Sequence, residues 1–187
     1  LLRPVAVLLT VGMLLMWAVS SGVAWAVLGL SPMLALALGA AVTPTDPVVA
    51  SSIVTGAPAE RALPDRLRST LSLESGANDG LGYLFVLLPV HFLRHDPGLA
   101  WQAWVVETLL VGVLLAVAVG AVIGWLSALA LELAMRRGWA EKHSQLSMTV
   151  ALSFAVLSLV HLMGSDGILA AFAAGAAFNL SATRREE

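Results

Sequence analysis

The chain has no cysteine, which excludes disulfides, iron-sulfur sites, thiolate metal sites and thiol nucleophiles, although it leaves the compartment open. Charge is almost as scarce. Only 12% of the 187 residues are Asp, Glu, Lys or Arg, against roughly a quarter in soluble domains. A net charge of -2 and a pI near 6.1 give no basic field, so no nucleic-acid partner is expected. No charged and apolar stretch of the signal-peptide kind precedes a small-residue cleavage site, so the first apolar segment reads as a true span. Low-complexity tails, soluble domains and repeats of fixed period are also missing. What is present is apolar: 59% hydrophobic residues and a mean hydropathy of +0.89 describe an all-α integral membrane protein, with the lipid bilayer as its first partner.

At about 20 apolar residues per crossing, six segments emerge: Val5 to Gly29, Pro32 to Thr55, Ser69 to Leu93, Trp104 to Ala134, Ser144 to Met163 and Gly167 to Leu180. With six spans, Arg3, Arg61, Arg66, Arg68, Arg136, Arg137, Lys142, Arg184 and Arg185 fall on one side and Arg94 alone on the other. The positive-inside rule makes the nine-charge side cytoplasmic, with both ends of the chain there. The expected location is a plasma or inner membrane, crossed several times. A start at Leu1 and a finish at Arg184-Arg185-Glu186-Glu187 directly after an apolar segment read as the cut ends of a fragment.

Two Asp residues lie inside segments apolar enough to cross, where a carboxylate is costly and normally functional. Asp46 sits in Thr43-Pro44-Thr45-Asp46-Pro47, whose two prolines must interrupt any helix containing them. The second span is therefore expected to be broken near the bilayer midplane, with Asp46 capping its second half and Pro47 at the first helical position. Unwound backbone at that depth is tolerated only in a protein-lined or watery cavity, and such breaks form ion sites in secondary transporters. Asp79 sits in Glu74-Ser75-Gly76-Ala77-Asn78-Asp79-Gly80, about mid-membrane in the third span. Ser75 and Asp79 are four apart and share one face, and Glu74 and Asn78 share another. Gly76 and Gly80 would admit a neighbouring backbone, the broken span being the obvious one.

Elsewhere the residues read more plainly. Gly112, Gly120 and Gly124 are packing contacts, and Glu107 and Glu132 lie near the ends of the fourth span. The hydroxyls of Ser144, Ser147, Thr149, Ser153 and Ser158 bond to backbone. His91, His95, His143 and His161 fall near span ends, where interfacial solvation is the ordinary state. Asp166 caps the sixth helix, whose small residues imply tight packing, and the six Trp anchor at the interface or pack.

Thr45-Asp46-Pro47 followed by Glu74-Ser75-Gly76-Ala77-Asn78-Asp79-Gly80 resembles the paired signatures of the monovalent cation:proton antiporters of the NhaP/NHE type. Gly164-Ser165-Asp166-Gly167 and its small-residue helix resemble the same family, so the likeness covers essentially the whole chain and roughly the middle half of a member. The resemblance implies an inverted-repeat antiporter fold of about thirteen spans, with crossed broken helices in a core and a separate domain forming a homodimer. Residues 1–95 would then carry the ion-site helices and 96–187 the helices that follow. The resemblance also implies that Asp79 alternately binds a cation and a proton, that Ser75 and Thr45 help coordinate transported Na+, and that Asn78 bonds to the break around Thr45 and Asp46. Asp46 and Asn78 thus count with Asp79, Ser75 and Thr45 in the expected ion and proton site, Asp46 either as cap and charge partner or as a direct ligand. An Asn before the Asp goes with electroneutral exchange in the family. Glu74 would pair with an Arg from a later helix, and neither that Arg nor the upstream ion-site acid of many members lies in this chain.

The chemistry fits independently. Desolvation favours the protonated form of a carboxylate, so proton and cation can compete for one, and hard oxygen ligands suit Na+ or Li+ without excluding K+. The expectation is thus a secondary transporter rather than an enzyme, with no cofactor besides the transported Na+ and H+. Two alternatives stand beside it. Asp46 and Asp79 could form an intramembrane aspartyl protease pair sharing one proton, although neither lies in a Gly-x-Gly-Asp context. Or both could serve packing in a non-transporting membrane subunit.

Overall fold

A computed structural model describes residues 2–139 and 144–183, and within them the chain is all helical. There are eight helices: α1 (Leu2–Leu28), α2 (Pro32–Ala41), α3 (Pro47–Val54), α4 (Gly56–Ala62), α5 (Asp65–Arg94), α6 (Pro97–Arg136), α7 (Ser144–Leu162) and α8 (Gly167–Thr183). Lys142, His143, Arg184 and Arg185 lie outside the described residues. By length and composition α1 and α6 are apolar enough to cross a membrane, and stretches of α2, α7 and α8 are shorter apolar helices.

Local chemistry sets the boundaries. Gly29 ends α1 at φ 64°, where its N–H donates to the Trp25 carbonyl; a side chain there would strain the turn. Pro32 opens α2 at its first position. The second predicted span is two helices, as its prolines require. α2 stops at Ala41, and α3 begins at Pro47. The ten residues of α2 and eight of α3 give about 15 Å and 12 Å at ~1.5 Å per residue, so neither could cross an apolar core of ~30 Å alone.

Three boundaries differ from the sequence expectation. The loop after α3 contains α4, a short helix that hydropathy does not signal. α5 is 30 residues long and starts four residues before Ser69, because its polar first turn is anchored by charge pairs. α6 begins at Pro97, seven residues before Trp104, since Asp96-Pro97 starts a helix as readily as the apolar run does. Residues 104–115 of α6 are wound as a π-helix.

Contacts divide the chain into two compact units, residues 1–108 and 109–187. In the first, α1 packs on α2 and both halves of the broken span pack on α5. A Cβ on Gly39 would run into the Ser21 backbone, so these helices meet at backbone distance. Trp17 Nε1 donates to the Leu36 carbonyl at 2.9 Å, and its ring meets Phe85 edge-on. In the second unit α6 and α8 meet where a Cβ on Gly120 or Gly124 would strike the carbonyls of Ala170 and Ala174. Large apolar side chains such as Val19, Phe154 and Leu162 point outward, while the interior is rich in alanine. In lipid the hydrophobic effect does not drive helices together, and close packing of small residues replaces it.

Candidate functional site

The break between α2 and α3 lies against the middle of α5. Pro44 presses on Gly82, where a Cβ would fall 2.5 Å from the proline ring. Gly82 thus makes a close approach of the kind expected of Gly76 and Gly80, here to a proline ring of the break. Thr43 is fully buried and donates to the Gly39 carbonyl at 2.7 Å, satisfying the last turn of α2. Asp46 is exposed, and its Oδ1 accepts from the N–H groups of Val48 (2.7 Å) and Val49 (3.4 Å). It acts there as the N-cap of α3.

Thr45 connects the break to α5. Its hydroxyl lies 3.5 Å from Ser75 Oγ and accepts from Asn78 Nδ2 at 3.3 Å, and Ser75 Oγ also reaches the Thr45 carbonyl at 3.5 Å. Asn78 Nδ2 donates a second, shorter bond to Glu74 Oε1 at 2.7 Å. Glu74 therefore has its partner one turn along its own helix, and among the described residues it makes no ion pair. Ser75 is 2% and Asn78 0% exposed, and Asn78 Oδ1 is buried without a partner. Two hydroxyls and a carbonyl meet here, hard oxygens of the kind that suits alkali cations.

Asp79 is placed differently from Ser75. Residues four apart on a helix are offset by about 40°; here Ser75 turns under the break while Asp79 is exposed. Among the described residues it takes no hydrogen bond or ion pair. The structure thus brings Thr45, Ser75, Asn78 and Glu74 together, leaves Asp79 adjoining them on the next turn, and engages Asp46 with its own helix.

Sequence reasoning missed Arg68. Its guanidinium pairs with Asp65 at 2.8 Å and Glu60 at 3.9 Å and lies 3.5 Å from the Val54 carbonyl, the C-terminal end of α3. A positive group at a helix C-terminus is favourable, and Asp65 three residues earlier was the available signal. His91 was also misjudged. It is buried, with Nε2 3.1 Å from Thr108 Oγ1 on α6. Asp166 caps α8, accepting from Ile168 and Leu169 at 2.9 Å.

Residues 1–187 match the family described as sodium/hydrogen exchanger, transmembrane. The chain is 34% identical over 179 residues to a probable Na(+)/H(+) antiporter of Schizosaccharomyces pombe, covering 95% of this chain and 24% of that protein. It is 33% identical over 153 residues to a Na(+)/H(+) antiporter of Saccharomyces cerevisiae, covering 80% and 15%. With an uncharacterized Na(+)/H(+) exchanger of Escherichia coli it shares 30% identity over 161 residues, 86% of this chain and 28% of that one. No solved structure matches. The chain therefore spans between 15% and 28% of the length of these relatives. With the broken helix, the hydroxyl and amide cluster against it and a match over its full length, the chain belongs to the sodium/hydrogen exchanger family, within the transmembrane domain.

Proposed function

We propose that the protein of which this chain is part exchanges Na+, or Li+ or K+, for H+ across the membrane, with Asp79 as the carboxylate for which cation and proton compete. The observation that carries this reading is the joining of Thr45, in the break, to Ser75 and Asn78 on the turn before Asp79. Ser75 and Thr45 supply neutral oxygens to the cation, Asp79 its countercharge. Asn78 holds α5 to the break, Asp46 caps α3, and Glu74 orients the Asn78 amide. Membership of a transporter family, with relatives named as Na(+)/H(+) antiporters, supports transport over the protease alternative.

One carboxylate that gives up one cation for one proton moves no net charge, so an Asn rather than a second acid at position 78 makes the exchange electroneutral. Coupling requires that the empty, charged form cross between faces slowly, which the cost of an uncompensated carboxylate in the bilayer ensures. In this reading the helices make six crossings, α2 and α3 together forming one with its break at the midplane. Residues 1–95 carry the ion site and 96–187 the following helices. The arginine-rich side and both ends of the chain face the cytoplasm of a plasma or inner membrane, and the complete protein is a homodimer.

The test uses the complete protein in everted vesicles lacking other antiporters, with a pH-gradient dye and added NaCl, LiCl or KCl. Cation-dependent collapse of the gradient in wild type, absent in Asp79→Asn, is the expected result. A response of equal size in both would remove Asp79 from the mechanism, and no response in either from folded, inserted protein would sink the antiport reading.

A further inference from the structure

At one end of the first unit, the opening turns of α1 and α5 flank an open groove of about 680 Å³. Its walls are Pro4, Val7, Leu8, Pro64 and Leu67, and Arg3 and Arg66 stand at it. Both arginines are exposed, and among the described residues neither makes an ion pair. The acids nearest in sequence to Arg66 are engaged elsewhere: Asp65 and Glu60 pair with Arg68. Two unpaired guanidiniums at an apolar groove, at the ends of helices that present apolar side chains outward, match one kind of occupant in both halves of its chemistry.

We propose that this groove binds an anionic phospholipid, its phosphate held by Arg3 and Arg66 and its upper acyl chain lying along Val7, Leu8 and Leu67. Guanidinium groups favour phosphate through charge and paired N–H donors. A basic residue at an anionic membrane surface adds a modest favourable term, and the chain stems of the arginines cover apolar surface while their heads reach the headgroup layer. The groove abuts the start of α5, whose first turns hold Arg68 and, through it, the end of α3. The lipid therefore adds a brace where the ion-site helix meets the interface. The inference depends on membrane insertion and not on antiport, so failure of either leaves the other standing.

The test is native mass spectrometry of the delipidated complete protein, titrated with phosphatidylglycerol or phosphatidylcholine of matched chains, beside Arg3→Gln/Arg66→Gln and the control Arg61→Gln. Phosphatidylglycerol is expected to bind wild type in preference to phosphatidylcholine, and to lose about 30-fold in affinity in the double variant from the usual effect of two basic residues. The control is expected to keep its binding, and glycerol phosphate without acyl chains is expected not to compete. Equal binding of the two lipids by wild type, full competition by glycerol phosphate, or unchanged binding in a folded double variant would each overturn the proposal. Should the double variant not fold, the lipid preference of wild type and Leu67→Trp, which fills the groove and should reduce binding, decide it.

Discussion

Asn78 and Thr45, 33 residues apart, meet through an Nδ2 to Oγ1 hydrogen bond of 3.3 Å with Asn78 wholly buried. The bond fixes the height of the helix break against α5, because the other hydrogen of the same amide is held by Glu74. An amide pinned by a carboxylate has little freedom to follow a shifted Thr45.

Replacing Asn78 with Ala should therefore cost more than one hydrogen bond. It leaves a half-buried hydroxyl and a half-buried carboxylate without their donor, a loss of about 1–3 kcal/mol or more for the charged partner. The expected outcome is a lower thermal unfolding midpoint in detergent, with loss of cation-dependent exchange in vesicles. Asn78→Gln, with its amide one methylene farther out, should recover neither. Exchange at the wild-type rate in Asn78→Ala would show that the bond does not position the site.

Much of this arrangement was legible in the sequence and some was not, for identifiable reasons. The broken span follows from Pro44 and Pro47, whose effect on backbone is local, and the Asp46 and Asp166 caps follow from side chains two and three residues from their donors. The Glu74 and Asn78 bond follows from helical spacing. Which glycine meets Pro44 does not, since Gly76, Gly80 and Gly82 are equivalent until the break is set against α5. The exposure of Asp79 beside a buried Ser75 has the same origin: spacing gives the angle between two side chains, while the neighbour's position decides which is covered. α4 was missed because hydropathy marks apolar runs, not short polar helices, and His91 because its partner Thr108 comes from another helix, which local sequence does not set beside it.

Arg68 joins α5 to the end of α3, so Arg68→Ala should loosen the half-helix rather than the whole unit. The bonds lost include one to a backbone carbonyl and one to Asp65, together about 1–3 kcal/mol for a largely buried cation. Hydrogen exchange is expected to accelerate over residues 47–55 with residues 13–28 unchanged. Uniform acceleration throughout both segments would assign Arg68 a general folding role. Lys in its place should restore protection only in part, because a point charge cannot bond the carbonyl and the carboxylate in one plane.

In the second unit, Ser165 Oγ lies within hydrogen-bonding reach of the carbonyls of Val111 and Gly112, and Asp166 N–H donates to the latter at 3.3 Å. These carbonyls belong to the π-wound part of α6, whose altered ladder is met by partners from the start of α8. Ser165→Ala should cost about 1 kcal/mol and shift the amide signals of residues 109–115 in NMR spectra. Unchanged signals would separate the π winding from Ser165.

The α6 and α8 contact leaves no room for a side chain at Gly120 or Gly124. A side chain on Gly120 or Gly124 would meet carbonyl backbone, not the movable tip of a side chain. Gly124→Ala should cost about 1–3 kcal/mol from overpacking, and Gly124→Leu should prevent folded protein from accumulating. Monodispersity in size-exclusion chromatography checks both, and wild-type behaviour of the Leu variant would contradict the backbone contact.

Asp46 offers the sharpest separation of a structural from a charge role in the ion site. Its Oδ1 accepts from two N–H groups at the start of α3, a task that Asn performs nearly as well and Ala cannot. If capping is its function, Asp46→Asn should retain cation-dependent exchange near the wild-type level. Asp46→Ala should lose about 1 kcal/mol of stability and, with the break less defined, much of the exchange. A direct ligand or countercharge would behave otherwise, because Asn is neutral: the apparent KM for Na+ should then rise in Asp46→Asn as much as in Asp46→Ala. Measured together, the exchange rate and the apparent KM of the two variants distinguish the cases, and the geometry favours the cap because both of its hydrogen bonds stay within the helix that Asp46 begins.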